Sequence, residues 1–223
     1  MEIDTSAPNV GTNLIRVHRA VTRALDVAIE GGGRFAAQGW PDETTREGYV
    51  NYVRALISFL RGHHLGEDDL LFPYFHDRLP DVPYEQLARE HHALEALLVR
   101  LEGILDARAV PGSTHLLEEL LPGLEAARVM WHPHIRVEEE HLAPEILGRL
   151  LPMEEHVRLG RTSAEHSQAH SGPDYLVVPF FLYNLEEEDR AALVRVMPPI
   201  VTEQLVPHVW KEKWASMTPF LLA

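Results

Sequence analysis

His63-His64-Leu65-Gly66-Glu67-Asp68-Asp69-Leu70-Leu71-Phe72-Pro73 is the stretch whose reading decides the fold. His63 and Glu67 stand four apart, so on an α-helix both side chains share one face about a turn from each other. Alone, that spacing describes many exposed helical pairs. The same unit recurs at His134 and Glu138, and in both copies a proline, Pro73 or Pro144, follows the glutamate by six residues. The repeat also reaches upstream. His18 lies 45 residues before His63 and His91 lies 43 before His134, each inside an apolar pattern of helical period. The chain therefore reads as two helical hairpins in tandem.

The helical runs around these residues are distinct. Leu14, Ile15, Val17, Val21, Leu25 and Ile29 mark a first helix over Thr12 to Glu30, with Gly31-Gly32-Gly33 expected to end it. A second starts after Pro41 and Asp42 and runs through Tyr49, Tyr52, Val53, Leu56, Phe59 and Leu60 to His63 and on towards Pro73, with Gly62 and Gly66 weakening but not breaking it. A third opens near Pro83 and carries Leu87, His91, Leu94, Leu98, Leu101 and Leu105, closed by Pro111 and Gly112. A fourth runs from Ser113 past Met130, Trp131 and His134 to Leu142, with Pro122 and Pro133 expected to bend or interrupt it. Strand-like alternation is almost absent. The expected fold is all-α: an antiparallel up-down-up-down four-helix bundle over residues 1–150, followed by a helical extension over 151–223. That extension carries Trp210, Trp214, Phe220 and Leu221, so it is expected to pack on the bundle or on a second subunit, as a monomer or a homodimer.

Composition narrows the chemistry. The 223 residues carry a formal net charge of −14 with no block of Lys and Arg, which would repel phosphate backbones and anionic headgroups; nucleic acid and membrane are poor partners. No stretch reads as a signal peptide or a membrane span, which gives the expectation of a cytoplasmic protein. Cysteine is absent, which excludes disulfides, thiolate metal sites and thiol nucleophiles. Phosphate-binding loops, nucleophile elbows and dinucleotide fingerprints are also absent. Histidine is abundant at 14 residues.

Folding two such hairpins together turns His18, His63, His91 and His134 toward one interior, joined by Glu67 and Glu138. Two carboxylates on apolar faces cost several kcal/mol as an order of magnitude unless a cation meets them, and no Lys or Arg sits on those stripes. Six such groups suit two metals better than one. Imidazole with carboxylate fits iron or manganese, or zinc, better than calcium or magnesium.

These residues resemble the hemerythrin-like, or HHE cation-binding, domain over roughly residues 10 to 150, through His18, the 63–73 run, Glu90-His91, and His134 to Glu138. The resemblance implies a non-haem di-iron centre, bridged by carboxylates and an oxo or hydroxo group, with open positions for dioxygen, peroxide or nitric oxide. Carried over by position, its ligands are His18, His63, Glu67, His91, His134 and Glu138. Oxygen-carrying members have a further histidine four residues after the third-helix ligand. Here that position is Glu95, which points to reaction or sensing rather than carriage and leaves either Glu95 or water as the donor. A sensor signalling through the extension, and an oxygenase or oxidase using it as a lid or pocket wall, are the alternatives.

Several neighbours compete. His64 with Asp68 repeats the spacing one residue on, though the proline register favours His63 with Glu67. His92 competes with His91 from a more polar face. His132 and His141 flank His134, with His141 near the same face. His166 and His170 have metal-compatible spacing but few apolar anchors. In the acidic runs 138–140 and 186–189 only Glu138 is assigned a role, the rest reading as solvated faces.

Overall fold

The computed structural model describes residues 8–107 and 113–222. Four long helices form the bundle: α1 (Val10–Gln38), α2 (Glu43–Gly66), α4 (Tyr84–Ala107) and α5 (His115–His141). Asn9 and Asp42 start α1 and α2 in the usual way, their side chains accepting the backbone N–H groups of Thr12 and Thr45. α1 packs along α2 and α5, and α4 along α2 and α5, so each helix has two neighbours and the four enclose one interior. α2 does not stop at Gly66. Its backbone widens into a π-helical turn, Glu67–Leu71, and closes with a short α3 (Phe72–Phe75). Single π turns of this kind often mark functional positions in helices.

Two expectations are corrected. Gly31-Gly32-Gly33 does not end α1, which continues to Gln38 and stops at Gly39, whose φ of 80° suits glycine. The need for glycine at position 32 lies in packing: a Cβ there would collide with the Tyr49 hydroxyl and meet Leu121 Cδ2 at 2.7 Å. Nor do Pro122 and Pro133 interrupt α5, which is helical from His115 to His141. Pro111 and Gly112, expected to close the third helix, lie outside the described residues.

A short α6 (Pro144–Leu150) follows α5 and lies on α1. The extension folds onto the bundle, where α7 (Met153–His170) and α8 (Asp174–Tyr183) lie on α2. α9 (Glu187–Val194), a π-helical segment (Ile200–Val209) and α10 (Lys211–Trp214) lead into a 3-10 helix, Ala215–Phe220, seated on α2. There Phe220 meets the rings of Tyr49, Tyr52 and Phe35, with centroids 5.7, 5.6 and 6.2 Å away. Gly48 has no side chain where the Ser216 backbone crosses it. Trp214, Met217 and Phe220 are buried, Trp210 and Leu221 partly so. At about 1.5–3 kcal/mol for each fully buried large apolar side chain, these anchors hold the segment in place. Trp214 also donates its indole N–H to Val206 O at 2.9 Å. The larger apolar cluster runs through both parts, from Val21 and Trp131 of the bundle to Phe180 and Trp214 of the extension. Among the described residues no helix is long and apolar enough to cross a membrane.

Candidate metal centre

Seven polar side chains meet inside the bundle: His18 from α1, His63 and His64 from α2, Glu67 from the π turn, His91 from α4, and His134 and Glu138 from α5. Six of them are buried and His63 is nearly so, with 7% of its side chain exposed. Their donor atoms fall into two groups, each with every atom within 4.8 Å of the others. One is His18, His63, Glu67 and Glu138; the other is His64, His91 and His134.

The carboxylates tie the groups together. Glu138 Oε2 lies 3.1 Å from His18 Nε2, while its Oε1 lies 3.3 Å from His134 Nε2 and 3.7 Å from His91 Nε2. Glu67 Oε2 lies 3.4 Å from His63 Nε2 and 3.6 Å from His91 Nε2. Each glutamate therefore reaches histidines of both groups. His91 and His134 direct their Nε2 atoms at each other across 3.0 Å.

Hydrogen-bond accounting shows what this interior fits. Both oxygens of Glu67 and of Glu138, and Nε2 of His18, His63 and His64, are buried without a hydrogen-bond partner. One or two orphans are tolerable in a native interior; a contiguous set of acceptor-rich atoms is costly and matches a cation. The outer faces of the rings are held instead. Nδ1 of His18 pairs with Glu139 Oε1 at 2.9 Å, Nδ1 of His91 with Asp68 Oδ1 at 2.9 Å, and Nδ1 of His134 with Glu90 Oε2 at 2.8 Å. A carboxylate on Nδ1 fixes the tautomer so that Nε2 presents its lone pair inward, and it raises the basicity of that nitrogen. Trp131 closes the apolar side. It is fully buried, its ring 5.4 Å from that of His18 and 6.1 Å from those of His63, His64 and His134, and its indole N–H donates to Thr22 Oγ1 at 2.9 Å.

The protein alone leaves these groups in conflict over charge. Burial pushes the Glu67 carboxyl well above its ordinary range, with the Glu138 charge adding to it. Burial acts the same way on Glu138, but the imidazoles of His134, His18 and His91 beside it outweigh burial and hold that carboxyl well below the usual range. His63 and His64 are driven well down, first by burial and then by neighbouring imidazoles. For His18 and His91 burial is overcome by their carboxylate partners and the pKa is raised.

The sequence reading placed its six residues in this interior and set His64 among their rivals, yet His64 lies inside with them. Asp68 sits behind His91 rather than in the cluster. Glu95 is not at the centre: it points outward and pairs with Arg61 at 2.9 Å. Of the two donors left open at that position, Glu95 or water, Glu95 is turned away from the cluster. His92 and His132 are exposed, and half-buried His141 directs Nδ1 to Val137 O at 2.8 Å. His166 bonds Asp69 Oδ2 at 3.0 Å, and His170 stacks on it with Nδ1 on the His166 carbonyl, apart from the centre. Glu139, read as solvated, instead steadies His18. Glu90 was not given a role by the sequence; its position one residue before His91 was the only signal.

Five imidazoles and two carboxylates converging from four antiparallel helices define a histidine-carboxylate metal-binding bundle. Residues 10–146 match the model of the hemerythrin HHE cation binding domain, and the chain belongs to that family. No curated protein and no solved structure matches the chain.

Proposed function

We propose that this chain is a non-haem di-iron protein that binds or reacts with dioxygen, peroxide or nitric oxide. The observation that carries the reading is the placement of Glu67 and Glu138, each within 4 Å of histidines from both donor groups. A carboxylate so placed is suited to join two cations, and seven donors exceed what one tetrahedral or octahedral ion takes. His18, His63, Glu67 and Glu138 would hold one iron, and His64, His91 and His134, sharing the two carboxylates, the other. Iron there would supply one-electron steps and a coordination position open to a small exogenous ligand.

The protein's own part is positional. Asp68, Glu90 and Glu139 orient three of the rings, Trp131 and the surrounding leucines exclude bulk water, and the neutral forms favoured at His63 and His64 leave their nitrogens free to donate. The test is anaerobic reconstitution with ferrous iron, metal analysis, and exposure in turn to dioxygen, hydrogen peroxide and nitric oxide. The expected result is two irons per chain and the optical and Mössbauer signature of an exchange-coupled ferric pair after oxidation. One metal per chain, whether iron or zinc, or a ferrous protein inert to all three, overturns the proposal. Manganese loading with the same stoichiometry would retain the site and change its chemistry.

A sensing role has one specific support. His166 of the extension bonds Asp69, the neighbour of the Asp68 that holds His91. Protease sensitivity and tryptophan fluorescence of metal-loaded and chelator-treated protein test it; an extension indifferent to metal removes it.

A further inference from the structure

α1 begins against a histidine that the metal centre does not use. The first N–H groups of a helix have no partner within it. Asn9 Oδ1 accepts the one on Thr12 at 3.2 Å, while Val10 N–H donates to Nδ1 of His156, also at 3.2 Å and 146 residues on in the chain, in α7. A backbone N–H can only donate, so Nδ1 carries no proton here and the ring is neutral, with its one proton on Nε2. His156 is 4% exposed, and its Nε2 is buried without a hydrogen-bond partner. A second proton would set N–H against N–H, in a buried place, at the positive end of the 29-residue α1.

We propose that His156 is a pH-sensitive latch: neutral, it docks the start of α7 on the N-terminus of α1, and protonation releases that docking and loosens the apolar end of the bundle. No neighbouring charge is placed to compensate the proton. On α1 the first charged residue is Arg16, a cation bonded to Asn13 and Asp189. α6 brings Glu145 and Arg149, both exposed. α7 itself carries Glu154, which is exposed, and Glu155, which is taken by Tyr74 of α3 and by Arg158. Asp69 of the π turn is paired with His166, further along α7. Among the described residues, burial lowers the His156 pKa from the ordinary 6.5, the Leu147 carbonyl offsets part of that, and no charged side chain adds to either.

The direction of the response follows from the two protonation states. The released ring titrates at the ordinary value and the docked ring below it. Between the two the released state holds more protons, so docking weakens as pH falls through that window and levels off beneath it; above 6.5 the latch stays closed. What it closes is defined by packing. Val10, whose N–H it holds, shares one apolar cluster with Leu14, Leu71, Phe72, Leu147 and Leu159, and Phe72 stacks on His91 with ring centroids 5.5 Å apart. The far end of α7 is held separately, by the close seat of Ser171 against Gly62 and by His166 on Asp69. Release therefore frees the first turns of α7 from α1 rather than the whole extension. The latch does not depend on which metal the centre holds.

Amide hydrogen exchange of the full chain, read by mass spectrometry between pH 7.5 and 5.0 and corrected for the intrinsic rate, tests this in peptides 8–16 and 153–162, with peptide 116–126 of α5 as the reference. His156→Asn places an amide oxygen where Nδ1 stands and cannot titrate. In the wild-type chain the protection of both peptides should fall at least threefold relative to the reference, with about thirtyfold as the ceiling set by the distance from 6.5 to 5.0. In His156→Asn it should stay within a factor of two. No loss in wild type, or an equal loss in the variant, overturns the latch. Chelator-treated protein must show the same contrast; a contrast that needs the metal assigns the effect to the centre and also overturns it. Should circular dichroism show the variant unfolded, exchange of the C2 hydrogen of His156 in the wild-type chain decides. A midpoint below 6.5 that coincides with the loss of protection is required, and one at or above 6.5 refutes the proposal.

Discussion

Replacing Asp68 tests whether the inward display of His91 depends on the carboxylate behind it. Asp68 accepts from His91 Nδ1 at 2.9 Å, and its side chain is 27% exposed, against 37% for Glu90 behind His134 and 38% for Glu139 behind His18. The least exposed of the three is the least screened by solvent, so its removal should cost the most. Loss of a carboxylate behind a metal-bound histidine typically costs 10–100-fold in affinity, or about 1.4–2.7 kcal/mol. Asp68→Ala removes both charge and acceptor, leaves a buried Nδ1–H unpaired, and belongs near the upper end. Asp68→Asn keeps an acceptor and belongs near the tenfold end. The assay is chelator competition with ferrous iron, and with cobalt as a redox-silent check, at pH 7.5. Asp69→Asn is the control, because Asp69 bonds His166 rather than a donor histidine. Equal affinity in Asp68→Ala and wild type, alongside a deep loss in His91→Ala, would refute the argument that this pair positions the ring.

Three further outcomes follow from the same geometry. His64→Ala should lower metal content while Glu95→Ala leaves it unchanged and costs at most about 1 kcal/mol of stability, since Glu95 makes a partly exposed pair with Arg61; the reverse pattern in metal analysis would make Glu95 a donor. Glu67→Gln should abolish the second metal yet stabilise the chelator-treated chain at pH 8: the folded pKa of Glu67 is raised, so the carboxyl contributes stability below its unfolded pKa and loses it as pH rises through the folded one. Urea unfolding at pH 5 and pH 8 reads the difference, which should widen at the higher pH. Gly48→Ala puts a methyl group into the Ser216 carbonyl, and backbone cannot step aside as a flexible side chain would; overpacking should cost about 1–3 kcal/mol, seen as a lower thermal midpoint and a changed Trp214 emission, with metal content kept.

Much of the bundle was legible because its information is periodic. Leu14, Val21 and Leu25, or Leu87, Leu94 and Leu98, repeat at helical spacing and become core wherever the helix packs. What was illegible depended on neighbours that no local pattern names. Gly31-Gly32-Gly33 has the composition of a stop, but the Tyr49 hydroxyl and Leu121 approach Gly32 so closely that a small residue is required there inside a continuing helix. Pro122 and Pro133 lie on a helix whose tertiary packing holds it through the missing hydrogen bonds. The hardest residue to place was His64. Successive residues on a helix diverge by about 100°, so a reading by faces must choose between His63 and His64. The choice disappears once the centre has two halves. α2 passes between them, and the rings, 5.4 Å apart at their centroids, serve one on each side. A pattern that looks like a contest between registers is what a single helix needs when it supplies histidine to two donor groups.

The π turn extends the same logic to the acidic residues that follow. Glu67, Asp68 and Asp69 are consecutive, yet each meets a different partner: Glu67 reaches His63 and His91 within the centre, Asp68 accepts from the outer nitrogen of His91, and Asp69 meets His166 on α7. On a regular α-helix the first of these would share its face with His63 and the others would turn progressively away. Widening the helix here changes the angular step between residues just where three carboxylates must serve the interior, its supporting layer and the extension. Glu67 Oε2 then stands 3.6 Å from one nitrogen of His91 while Asp68 bonds the other, so one short segment after α2 sets both the position of that ring and the charge around it. The extension joins this arrangement through the third carboxylate. A shift of α7 would pull on Asp69 without touching any donor, and the covalent path from Asp69 to Glu67 is two residues long.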